Sequence, residues 1–122
     1  MSKVLVVENE KNVLATLSIG LRRYDYEVIQ AKSGTEALRI MKEAPCEIVI
    51  SDVCMSPMDG HMLASRIHAL YPGVRVVLIS AYGIEEKSNE QENDYEYVRL
   101  TKPLSVFDLI QILKQRKEKE NN

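Results

Sequence analysis

The chain has 122 residues, enough for one domain and too few for a second core. With 45% hydrophobic and 28% charged residues it has the make-up of a soluble globular protein, and a domain of this size buries roughly two-thirds of its unfolded surface without disulfide or metal staples. The formal net charge of −2 exerts no general pull on nucleic acid or anionic membrane, and the N-terminal apolar run is too short for a signal segment or a membrane span, so a cytoplasmic location is expected.

Apolar runs and helical patterns alternate along the chain. Val4-Leu5-Val6-Val7 is a continuous, mostly β-branched run, expected of a strand covered on both faces. Asn12 to Arg23 sets Val13, Leu14, Leu17 and Leu21 on one helical face. Glu27 to Gln30 is half polar, which suits a strand near a sheet edge. Ser33-Gly34-Thr35-Glu36 has the form of a capping box, opening a helix whose apolar face holds Ala37, Leu38 and Met41 and which Pro45 ends. Ile48-Val49-Ile50 is a second buried strand, with Asp52 just past its carboxyl end. Gly60 to Tyr71 reads as a helix with Leu63, Ile67 and Leu70 on its inner face, stopped by Pro72-Gly73. Val74 to Ser80 is a third buried strand and Tyr97 to Leu100 a further strand. Ser105 caps a last helix with Asp108 in its first turn and Val106, Leu109, Ile110 and Leu113 inside.

Strands alternating with helices of this length imply βαβ units, hence a parallel sheet with right-handed crossovers. Five units suit an α/β, flavodoxin-like, doubly wound sheet of order 2-1-3-4-5 with five helices, the whole of residues 1–122 forming one domain. One segment departs from the pattern. From Ile84 to Tyr95 the chain reads IEEKSNEQENDY, so the helix expected there has almost no apolar stripe to dock with. The basic run Lys114 to Lys119 reads as a solvated helix end, its cations facing the negative pole of the helix dipole. Cys46 and Cys54 are too sparse for a disulfide framework or zinc site and are expected as small buried hydrophobes. His61 and His68 read as surface residues, and Tyr24, Tyr26 and Tyr71 as shields at the core's edge.

In such a sheet the site lies at the carboxyl ends of the central strands. The topology gathers Glu8, Asn9 and Glu10 after the first strand, Asp52 after the third, Ser80 after the fourth and Lys102 after the fifth. Converging carboxylates repel one another, and a divalent, oxygen-seeking cation such as Mg²⁺ relieves that. A hydroxyl and a lysine at the same spot supply a donor and a positive charge to an incoming phosphoryl group. The set reads as metal-assisted phosphoryl transfer to a carboxylate nucleophile.

With VLVVENE at 4–10, IVISDVCMSPMDG at 48–60, VVLISAYG at 76–83 and TKPL at 101–104, the sequence resembles the response-regulator receiver family over nearly its whole length. The resemblance implies that Asp52 is the phosphoacceptor, Ser80 the hydroxyl that moves toward the phosphoryl group and Lys102 its ion-pair partner. It implies that Glu8, Asn9, Asp52 and the backbone carbonyl of Cys54 hold Mg²⁺. Cys54 and Tyr82 fall at positions that tune the lifetime of the phosphoryl group. It further implies phosphorylation by a sensor histidine kinase or phosphotransfer protein, and signalling to a downstream protein or output domain by conformational change of the face formed by the fourth helix and the fifth strand. The only catalysis expected is of the domain's own phosphoryl transfer and dephosphorylation. The chain departs from the family in carrying Glu8-Asn9 for an Asp-Asp pair, Arg99 at the aromatic switch position, and the polar segment at 84–95. Those departures define an alternative, a pseudo-receiver that binds its partner without phosphorylation and would tolerate Asp52→Ala. A phosphatase or nucleotide-binding enzyme on a related sheet is disfavoured by ENEKN in place of a Gly-rich loop after the first strand, and by the lack of a second aspartate two residues after Asp52.

Overall fold

The computed structural model describes residues 2–80, 96–99 and 105–121, with side chains at 2–80 and 105–115. In chain order the elements are β1 (Lys3–Val7), α1 (Lys11–Arg23), β2 (Glu27–Ala31), α2 (Gly34–Glu43), β3 (Ile48–Asp52), α3 (Gly60–Leu70), β4 (Arg75–Ser80), β5 (Glu96–Arg99) and α4 (Val106–Asn121). The strands pair in parallel in the order β2-β1-β3-β4-β5. The order reverses direction at β1 and β3, which puts the crevice of the fold at their carboxyl ends. The helix expected between Ile84 and Tyr95, Tyr82 and Lys102 lie outside the described residues.

The period-two alternation of each strand divides the core into two layers. Val4 and Val6 of β1, Ile48 and Ile50 of β3, and Val77 and Ile79 of β4 face α1 and α4, where Leu14, Leu17, Leu21, Leu109, Ile110 and Leu113 meet them. Leu5 and Val7, Val49, and Val76 and Leu78 face the other way, onto Ala37 and Met41 of α2 and Leu63, Ala64 and Ile67 of α3. The central strands β1, β3 and β4 read as nearly unbroken apolar runs because both of their faces are covered.

Local chemistry sets the element ends. The Ser33 hydroxyl accepts from the Glu36 N–H at 3.1 Å, while the Glu36 carboxylate reaches back to the Lys32 N–H at 2.7 Å, one residue earlier than the expected capping box. Ser105 caps α4 through the Asp108 N–H. Helix α1 ends in a Schellman motif: the Tyr26 N–H donates to the Leu21 carbonyl, the Asp25 N–H to that of Arg22, and Asp25 has a φ of 70°. Left-handed backbone strains any residue with a Cβ. Asp25→Gly is therefore expected to raise stability by about 0.5–1 kcal/mol in urea unfolding, with m unchanged.

Three expectations are corrected. Leu70 is 63% exposed, because the inner stripe of α3 runs Gly60, Leu63, Ala64, Ile67 and continues at Tyr71, leaving Leu70 off the core face. Cys54 is exposed, since the chain leaves the sheet at Asp52 and turns its neighbours Val53 and Met55 inward instead; Cys46 is buried as expected. His61 and His68 are half-buried rather than on the open surface. Among the described residues no helix is long and apolar enough to cross a membrane.

Candidate functional site

The site is built at the carboxyl edge of the sheet by the ends of β1, β3 and β4. Asp52 is the last residue of β3 and half-buried. Beyond it the ladder continues for one bond, Val53 N–H to the Ile79 carbonyl at 3.0 Å. The loop then folds back under tight constraint. Val53 and Met55 are buried in the α2–α3 layer, and the Val53 carbonyl accepts from both Met55 N–H (3.1 Å) and Gly60 N–H (2.9 Å). Asp59 caps α3 through the Met62 N–H at 2.8 Å. This loop delivers the Cys54 N–H to Oδ1 of Asp52 at 3.1 Å, fixing the orientation of the carboxyl group.

Glu8 follows β1 and is only 3% exposed. Its backbone N–H extends the ladder to the Ala31 carbonyl at 3.0 Å, and its Oε2 accepts from the Glu10 N–H at 3.0 Å. The side chain is thereby turned inward onto Asp52, to which it is hydrogen-bonded. Burial, then the negative charge of Asp52, push the Glu8 carboxyl up to about 7, against the opposing Glu10 N–H bond. Burial also raises Asp52, while the Cys54 N–H and the bond from Glu8 hold it down. The bond between them raises Glu8 and lowers Asp52, so of the two it is Glu8 that holds a proton more readily and donates to the Asp52 carboxylate.

Ser80, the last residue of β4, is fully buried. Asp52 pairs with Ile79, so Ser80 stands one residue beyond it on the neighbouring strand, at the same edge. Glu8, Asp52 and Ser80 are thus gathered as the topology required. Asn9 and Glu10 are exposed, and Glu10 occupies the N-cap of α1 without a side-chain cap bond. Cys54 contributes its N–H to the site. The burial of Glu8 was not foreseen; its only signal is its place directly after four buried residues of a central strand. Gly60 belongs to the matching stretch and starts a helix, but the sequence does not show that a Cβ there would meet the backbone of Asp52 and Val53.

Among the described residues no three His, Cys, Asp or Glu side chains form a metal cluster. Two carboxyls, one buried, pressed together are nevertheless a donor set that suits a hard divalent cation, which keeps several waters and needs only one or two protein carboxylates.

The model of the response regulator receiver domain matches residues 4–114. The transcriptional regulatory protein GlrR of Escherichia coli K12 is 31% identical over 110 residues, covering 90% of this chain and 25% of that protein. The sensor kinase CckA of Brucella abortus is 33% identical over 120 residues, covering 97% of this chain and 13% of that protein. The chain thus spans a quarter or less of these relatives. A receiver domain protein of Clostridium thermocellum superposes with a TM-score of 0.81 at 29% identity, covering 97% of this chain and 98% of that one. TrrA of Thermotoga maritima, solved in complex with Mg²⁺ and beryllofluoride, gives 0.81 at 27% identity, covering 94% and 98%.

Proposed function

The chain belongs to the response regulator receiver domain family, and from that premise we propose that Asp52 accepts a phosphoryl group from a partner histidine kinase or phosphotransfer protein. The observation that carries this reading is the pairing of Asp52, held at the carboxyl edge of β3 by the Cys54 N–H, with the buried Glu8. A carboxylate oxygen of Asp52 attacks phosphorus. The new bond is Asp–O–P, and the bond that breaks joins phosphorus to the donor's imidazole nitrogen, which keeps the electron pair and takes up a proton.

Glu8 and Asp52, with the exposed Asn9 and the Cys54 carbonyl, would hold Mg²⁺, whose charge offsets that of the phosphoryl oxygens. Glu8 must release its proton for this. Its carboxylate would then be available to the cation, and the Asp52 oxygen it had engaged would be released, while Oδ1 stays on the Cys54 N–H. Ser80 offers its hydroxyl from the adjacent strand end, and Lys102 is proposed as the ion-pair partner. Residues 1–122 act as one cytoplasmic signalling unit that also catalyses its own dephosphorylation. The added charge of ~1.5–2 at Asp52 is read out by a downstream protein or output domain through the face around β5.

The test is incubation with acetyl phosphate and Mg²⁺ followed by intact-mass measurement. Wild type is expected to gain one phosphoryl group and Asp52→Asn none. Absence of any gain at saturating Mg²⁺ would refute phosphoacceptor function.

A further inference from the structure

Helix α4 runs from Val106 to Asn121, yet its core-facing residues end at Leu113. From Lys114 onward the sequence, KQRKEKENN, contains no apolar residue. The Lys114 ammonium lies over the Tyr24 ring, 5.5 Å from its centroid. A second observation marks the same point. Arg75, the first residue of β4, sends Nη1 to the Leu113 carbonyl at 3.0 Å and Nη2 to the Ile112 carbonyl at 3.2 Å. Within a continuous helix those two carbonyls already accept from the N–H groups of Arg116 and Lys117. The guanidinium is therefore a second set of donors for them.

We propose that Arg75 is a built-in alternative C-cap that lets α4 end at either of two places, at Asn121 or at Leu113, without orphaning its terminal carbonyls. If the turns beyond Leu113 unwind, four carbonyls lose their helical partners, and Arg75 continues to satisfy two of them. Its positive charge also opposes the negative end of the shortened helix's dipole. The eight residues from Lys114 to Asn121 are too few to hold a helix on their own hydrogen bonds and have no apolar face to dock. Unwinding is thus cheap beyond Leu113 and is stopped there. The hinge lies beside Ile48, the residue that pairs with Arg75, at the pole of the sheet opposite Asp52. The terminal turns can melt, re-form or be taken up by a partner while the strand ends that carry the acceptor stay undisturbed.

Amide hydrogen exchange on the full chain tests this. In wild type the amides of Ile110 to Leu113 should exchange with the core, and those of Lys117 to Asn121 at least about a hundredfold faster. In Arg75→Met the boundary should move into the docked helix, with protection at Ile112 to Arg116 falling at least about tenfold while Leu5 and Val6 keep theirs. Equal protection through Asn121 in wild type overturns the proposal, as does an unmoved boundary in Arg75→Met. Should that variant fail to fold, Arg75→Lys, which keeps the charge but loses the two-pronged geometry, is expected to shift the boundary in the same direction; no shift overturns the proposal equally.

Discussion

Glu8→Gln is expected to stabilise the metal-free protein at pH 8 by about 2–3 kcal/mol and to leave it nearly unchanged at pH 4. The sign follows from the proton inventory. In the unfolded chain Glu8 releases its proton near its ordinary 4.5, whereas in the folded protein it keeps it up to about 7. Between those values the folded state binds more protons than the unfolded one, so wild-type stability falls as pH rises through that window and then levels off. Glutamine reproduces the neutral side chain: its amide oxygen can accept from the Glu10 N–H and its NH₂ can donate to Asp52. Chemical denaturation at several pH values in the presence of a chelator checks this. A wild-type stability that rises from pH 5 to 8, or a Glu8→Gln curve that falls as steeply as the wild type's, contradicts it. The same substitution removes one of the two carboxylates proposed to hold Mg²⁺, so the gain in stability is expected to come with weaker phosphorylation.

Gly60→Ala is the second large effect. A Cβ on Gly60 would lie 2.5 Å from the Asp52 carbonyl oxygen and 2.8 Å from the Val53 Cα. Both atoms are backbone, so no rotamer change relieves the overlap, and α3 must withdraw from the end of β3. The expected cost is about 2–3 kcal/mol, with a slower acetyl phosphate reaction because the loop no longer presents the Cys54 N–H to Asp52 at the same geometry. Gly73→Ala is the control, since nothing lies within 4 Å of a Cβ there. Equal midpoints for the two variants would refute the packing argument.

These two residues also show where the sequence is legible and where it is not. The parallel α/β architecture follows from runs such as Val4–Val7 and Ile48–Ile50, because only a sheet covered on both faces uses unbroken apolar strands. Asp52 and Ser80 follow from the rule that strand ends carry the site. What periodicity cannot convey is how closely the turns approach one another. Glu10 is exposed at a helix start, as its place in the sequence suggests, but nothing in the pattern shows that Glu8, two residues earlier, is sealed between strand ends. Cys54 was misplaced for the same reason: a loop that buries Val53 and Met55 must turn the residue between them outward. Leu70 satisfied a three-residue spacing from Ile67, but a stripe that drifts around α3 gives that place to Tyr71.

The position of β2 at the rim of the sheet has a colloidal consequence. Among the described residues no strand lies beside its outer side, and such an edge invites edge-to-edge pairing between copies. Here the edge is five residues long; Glu27 is exposed, while the Gln30 amide donates to the Ser18 hydroxyl of α1 at 2.9 Å. A second copy that laid its β2 alongside in parallel register would stack glutamate against glutamate. The strand that contributes least to the chemistry is thereby expected to oppose association at high concentration, and replacing Glu27 with an apolar residue is expected to weaken that protection.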